Sequence, residues 1–165
     1  AHGGKTYAKN ALYNGEFYEC GPLARALGSG YTNIAALYQS YGDTSLTRIT
    51  ARVNEILILC SQVRSQLSSL DLSQPSFIAP PPIESISGEG IGIVEAPRGA
   101  LIHRARIEKG RIIRYSIITP TQWNLGNGTT SNLGVAQCSM IGAESIAKAS
   151  LLFRTFDVCS VCTTH

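Results

Sequence analysis

The chain has 165 residues, 44% hydrophobic and 15% charged, with a formal net charge of +3. That length suits one folding unit with a real core, and so small a charge gives no argument for a nucleic-acid partner. Charged residues fall well below the roughly 25% usual in a free-standing soluble domain, the composition expected when much of the surface is given to a partner.

Residues 1–19 are polar and Gly/Tyr-rich, with Asn14-Gly15 predicted as a turn between short Tyr-containing strands. Pro22, within Gly21-Pro22-Leu23-Ala24-Arg25-Ala26-Leu27, marks a helix start, because an N–H in the first turn has no intrahelical partner. Gly28-Ser29-Gly30-Tyr31 breaks that helix. From Ser45 to Leu70, Leu46, Ile49, Val53, Ile56, Leu57, Cys60, Val63 and Leu67 recur at helical spacing. Arg48, Arg52, Glu55 and Arg64 fall mostly off that stripe, so the segment is predicted to be a long packing helix with Cys60 as a buried core thiol. Ser73, Gln74, Pro75 and Pro80-Pro81-Pro82 make residues 71–83 an extended connector.

The pattern then changes to strands. Gly90 to Ala96 is β-like and leads into Pro97-Arg98-Gly99, while Ala100–Ile107 and Arg111–Ile118 flank a hairpin turn at Glu108-Lys109-Gly110. Pro120 ends the last strand, residues 126–134 are a Gly/Asn/Thr-rich loop, and a final helix is expected from Ser139 to Phe153. The expected class is therefore α+β, as one unit over residues 1–165. No stretch has the ~18 consecutive apolar residues of a membrane span, and the N-terminus lacks a signal-peptide pattern. A partner chain can carry a targeting signal, so the compartment stays open. The sequon at Asn127 reads as coincidence, given the cysteine usage.

Between Arg98 and Arg114 lie six Arg/Lys and one Glu, but aromatic interleaving is nearly confined to Tyr115. The hairpin reads as a solvated face with internal salt bridges, not as a nucleic-acid surface. Arg98 differs from its neighbours, being held between stiff Pro97 and permissive Gly99. Two readings stand beside each other there: a structural salt bridge, or a guanidinium aimed into a pocket.

Five cysteines, an odd count at wide spacing, do not make a disulfide scaffold. Cys159 and Cys162 are separated by two residues, and His165 follows Cys162 at the same spacing. Thiolates select soft or borderline metals such as nickel, zinc, copper(I) and iron–sulfur centres. A redox CxxC normally opens a helix with sequence beyond it. A zinc half-site would need a fourth ligand, and a pair of unligated thiols is the remaining reading.

Four ordered stretches together resemble the large, catalytic subunit of nickel–iron hydrogenases. They are Glu19-Cys20-Gly21-Pro22-Leu23-Ala24-Arg25, Glu95-Ala96-Pro97-Arg98-Gly99 with downstream His103, Thr119-Pro120-Thr121-Gln122-Trp123-Asn124, and Asp157-Val158-Cys159 continuing through Cys162 to His165. The resemblance implies the helical C-terminal half of that fold with a small antiparallel β-hairpin region, incomplete without its partner chain. It implies Cys159 as a terminal thiolate on nickel, and Cys162 as a thiolate bridging nickel to an iron that carries CO and cyanide. His165, exposed as a new C-terminus by a maturation protease, would help hold a magnesium or iron ion together with the main-chain carbonyl of Ile117. Arg98 would hang over the Ni-Fe(CO)(CN)2 centre, Thr121 would hydrogen-bond a cyanide, and Pro97 and Asp157 would complete the canopy. Asp157 is also the expected carboxylate partner of a buried Arg98.

Val158 stands where the family usually has proline, and Cys20 where it has an aliphatic residue. The family's other CxxC and its N-terminal proton-transferring glutamate are missing from these residues. The expectation is a large subunit split by gene structure or by processing, this chain supplying two of four nickel thiolates. Its partners would be the N-terminal section with the other CxxC and a small subunit carrying iron–sulfur clusters. Expected function is the reversible heterolytic cleavage of H2; a hydrogen-sensing regulatory hydrogenase and a zinc-stabilised structural subunit are the alternatives. The presence of Arg98, Thr121 and Asp157 beside the cysteines weighs against the zinc reading, since a structural zinc needs none of them.

Overall fold

The computed structural model describes residues 10–159. Three helices open it: α1 (Pro22–Gly28), α2 (Thr32–Tyr41) and α3 (Ser45–Ser69). An antiparallel sheet follows in the order β1 (Gly88–Ala96), β2 (Gly99–Glu108), β3 (Arg111–Ile118), and then α4 (Pro120–Asn124), α5 (Val135–Met140) and α6 (Ile146–Arg154). The class is α+β, as the residue pattern implied.

Local chemistry explains most boundaries. Pro22 sits in the first turn of α1, and Tyr13 and Glu16 bridge across Asn14-Gly15. Lys109 and Gly110 both have positive φ, 48° and 75°, the requirement of a tight two-residue hairpin joining Glu108 to Arg111. Pro97 and Arg98 form a second two-residue connection, since Ala96 pairs with Gly99. Proline's fixed negative φ suits the first central position of a type I or II turn, so this connection differs from the positive-φ pair at Lys109-Gly110. Arg98 is thereby lifted to the tip of the β1–β2 hairpin. On the sheet surface Arg104 pairs with Glu89 and Arg106 with Glu108, so the basic hairpin is internally salt-bridged.

Leu23 and Ala26 of α1, Ile34 of α2 and Ala51 of α3 form a small core, with Leu27 and Tyr31 packed against it. Here the expectation for the long helix inverts. The buried face of α3 is Thr47, Arg48 and Ala51. Its apolar stripe is exposed from Leu46 through Leu67, and Cys60 is exposed, not a core thiol. Periodicity identified a face correctly but not what covers it, and nothing among the described residues does. No helix of the described residues is long and apolar enough to cross a membrane.

The final helix also differs: α5 and α6 replace one element over 139–153. Gly142, at φ 78°, ends the first, and the Ser145 side chain accepts from Lys148 N to cap the second. Pro120 not only ends β3 but opens α4. There Thr119 Oγ1 accepts from Gln122 N at 3.4 Å, and the Gln122 side chain accepts from Thr119 N at 2.9 Å.

Candidate functional site

The four motifs, far apart in the chain, meet. Cys20 N donates to Asn124 Oδ1 at 2.9 Å and Asn124 Nδ2 donates to Cys20 O at 3.0 Å, joining the first motif to the third. The Cys20 thiol faces two more backbone segments, 3.6 Å from Pro120 O and 3.9 Å from Arg98 O. Gly21, at φ 123°, presses its Cα against the Arg98 carbonyl, where a Cβ would come within 2.9 Å. Gly99, at φ 135°, leaves the hollow that Cys20 fills. Burial pushes the Cys20 thiol up to about 11 despite a stabilising hydrogen bond from the Ala100 backbone. It is a packed, protonated side chain at the junction of three motifs.

Arg98 closes the set. Its Nε donates to Asp157 O at 2.5 Å and lies 3.1 Å from Asp157 Oδ2, with a longer bond of 3.5 Å from Nη2 to Oδ1. Asp157 has φ 53°, a left-handed conformation that aspartate tolerates better than most residues. This bend after α6 presents both its carbonyl and its carboxylate to one guanidinium. The pair is about half exposed. Of the two readings of Arg98, the structure shows the salt bridge, made to a partner two residues before Cys159.

Two further arginines, which spacing had assigned simply to the polar side of α3 and to a motif, support this pair. Arg48 is buried; its Nε and Nη2 bond Glu19 at 2.8 and 2.7 Å, and Nη2 reaches Asp43 at 3.0 Å. Its guanidinium also lies 4.5 Å from the ring centroid of Phe156, next to Asp157. Burial, the largest single influence, would lower the Arg48 pKa, but the bonds and charges of Glu19 and Asp43 together outweigh it and the net direction is up. Arg25 forms a bidentate pair with Glu55 at 2.6 and 2.7 Å and also bonds Glu95 at 2.8 Å. Glu55 is the chief reason its pKa is raised. Apart from Arg48–Asp43, these pairings link residues 29 to 70 positions apart, so no local motif announces them.

Thr121 is buried in the first turn of α4. Pro97 lines a cleft of about 430 Å3 beside Arg25, Arg52, Glu55, Glu95 and Asp157. Ile117 pairs with His103 across β2 and β3, and His103 Nδ1 is in hydrogen-bond contact with the Tyr115 hydroxyl. Cys159 is half-buried at the end of the described chain. Cys162 and His165 lie outside the described residues. Among the described residues no three His, Cys, Asp or Glu side chains gather around one point. The donor chemistry fits a thiolate-held metal: Cys159 is half-buried and lies two residues beyond Asp157, which anchors Arg98.

Comparison with known proteins gives the family and the fold. The nickel-dependent hydrogenase family matches residues 2–165. The sulfhydrogenase 2 alpha subunit of Pyrococcus furiosus is 32% identical over 98% of this chain and 42% of its own length. The hydrogenase-1 large chain of Escherichia coli is 27% identical over 97% of this chain and 31% of its own. The [NiFeSe] hydrogenase of Desulfomicrobium baculatum has the same fold, with a TM-score of 0.82 at 24% identity over 99% of this chain and 38% of that one. The chain thus spans less than half the length of the proteins it matches. It belongs to the nickel-dependent hydrogenase family.

Proposed function

We propose that this chain forms the Arg98 side of the active site of a nickel–iron hydrogenase that cleaves H2 reversibly and heterolytically. The reading is carried by one observation. Arg98, at the hairpin tip, is anchored on Asp157 two residues before Cys159, at the point where all four family motifs meet.

Cys159 and Cys162 would supply two nickel thiolates, Cys162 also bridging to iron. His165 and the Ile117 carbonyl would hold a magnesium or iron ion. The remaining length of the large subunit would supply the other two thiolates, and a small subunit the iron–sulfur clusters. When bound, the nickel–iron centre supplies an open coordination position and a sink for electrons. The chain's own residues govern the proton and the field. Cys159 Sγ is the base that takes the proton. Arg98 sets a fixed positive charge over the site, most effective in a dry, low-dielectric setting. Asp157 fixes the orientation of that guanidinium through two different oxygens and balances its charge. The Thr121 hydroxyl would donate to a cyanide ligand, and Pro97 stiffens the turn that carries Arg98.

Arg98→Lys in the assembled complex tests this. Lysine keeps the charge but not the planar fork. Nickel content should be unchanged, while H2 turnover falls about 100-fold or more, the scale seen when one preorganised electrostatic group is removed. Unchanged turnover at full nickel content would refute the canopy role.

A further inference from the structure

Arg25 has no chemical role in the function proposed above, yet its guanidinium is fully engaged. An arginine carries five N–H donors, and the structure offers five acceptors within bonding distance. Nε meets Glu55 Oε1, Nη1 meets Glu95 Oε2 and the Ala96 carbonyl (3.0 Å), and Nη2 meets Glu55 Oε2 and the Pro97 carbonyl (3.1 Å). Charge balance alone needs one carboxylate and no carbonyl. The two carbonyls belong to the two residues immediately before Arg98. The next carbonyl, that of Arg98 itself, packs against Gly21 and Cys20. Three consecutive peptide groups leading to the hairpin tip are therefore docked on residues 20–25.

The other end of the bracket is rigid. Glu55 sits on α3 one turn beyond Ala51, which is wholly buried in the core. The bidentate pair with Glu55 fixes the plane of the Arg25 guanidinium, and the far side of that plane sets where Ala96 and Pro97 can lie. We propose that Arg25, held by Glu55, is a positioning residue for Arg98, an inference that rests on the reading of Arg98 given above. It touches no reacting atom; it fixes the backbone from which the canopy guanidinium projects. Lysine, a point charge with three donors and no planar fork, cannot reproduce both the Glu55 pair and the two carbonyl bonds.

The test uses the assembled complex with Arg25→Lys, Glu55→Gln, Arg98→Lys and the Arg25→Lys/Arg98→Lys double variant. Three quantities are measured: nickel content, H2 turnover, and hydrogen–deuterium exchange of the Arg98 and Gly99 amides against the distant β2–β3 hairpin. Arg25→Lys should keep its nickel and lose turnover by about 10- to 100-fold, the scale of an ångström-level misplacement. Its Arg98 and Gly99 amides should exchange faster, while the β2–β3 hairpin does not change. Glu55→Gln should move in the same direction by less, and it carries the test if Arg25→Lys fails to assemble. Because Arg25 acts through Arg98, the double variant should be no slower than Arg98→Lys alone. Wild-type turnover and exchange in Arg25→Lys would overturn the proposal, as would losses that multiply in the double variant. If the wild-type complex holds no nickel and turns over no H2, the reading of Arg98 fails instead. Exchange alone then decides the bracket, faster exchange at Arg98 and Gly99 supporting it and unchanged exchange overturning it.

Discussion

Gly99→Ala strikes the junction of the motifs at its tightest point. A Cβ there would lie 2.4 Å from Cys20 Sγ and 2.9 Å from both Cys20 Cβ and Gly21 N. The thiol is the end of a short side chain, and the Gly21 nitrogen is backbone, so relief requires the hairpin tip to move. The φ of 135° adds a cost of about 1–3 kcal/mol for any residue with a Cβ. Overpacking adds about 1–3 kcal/mol more. At roughly 2–4 °C per kcal/mol for a protein of this size, the midpoint of thermal unfolding should drop by on the order of 5–20 °C. Adding Cys20→Ala removes the 2.4 Å contact but not the two at 2.9 Å. The double variant should therefore recover part of the loss, with a coupling of about 0.5–3 kcal/mol. Scanning fluorimetry of the four proteins reads both numbers. A midpoint within about 1 °C of wild type, or strict additivity, would show that Cys20 and Gly99 do not meet as described.

Other perturbations test separate joints. Arg48→Met strands Glu19 and removes the cation from Phe156. It should cost about 3–5 kcal/mol in chemical unfolding, with Glu19→Gln restoring much of it. Cys20 titrates upward, from the ordinary 9.0 to about 11, because burial disfavours its thiolate. Its protonated form is thus favoured by folding, a contribution complete below pH 9.0 and lost as pH rises towards about 11. The stability advantage of wild type over Cys20→Ala should shrink across that window. Cys60, on the exposed apolar stripe, should react quickly with a maleimide in the isolated chain and slowly in the assembled complex. Equal rates in the two would argue that α3 is not the face covered by the partner.

The turns were readable because their chemistry is local, whereas the site motifs entered through a family resemblance. Lys109-Gly110 demands positive φ, Pro97 stiffens a turn and Pro120 ends a strand, whereas the helix that Pro120 also opens was not foreseen. The α2 helix went unpredicted because it buries a single residue, Ile34, and therefore shows no apolar stripe. The error at α3 is instructive in a different way. In its first half the polar face is inside, since Arg48 and Glu55 find their charges on Glu19 and Arg25, 29 and 30 residues away. Long-range ion pairs carry no periodicity, whereas the leucines and isoleucines that do are turned outwards. The pairing of Arg98 with Asp157 was foreseeable from charge, but its use of the Asp157 carbonyl depends on a backbone bend that the residue types do not announce.

These motifs are proposed to build one wall of a nickel–iron centre. Metal analysis of the assembled complex, paired with its infrared spectrum, tests that most directly. Nickel and iron in stoichiometric amounts, with bands from bound CO and cyanide, are the predicted result. Zinc in place of nickel and a spectrum without those bands would contradict it.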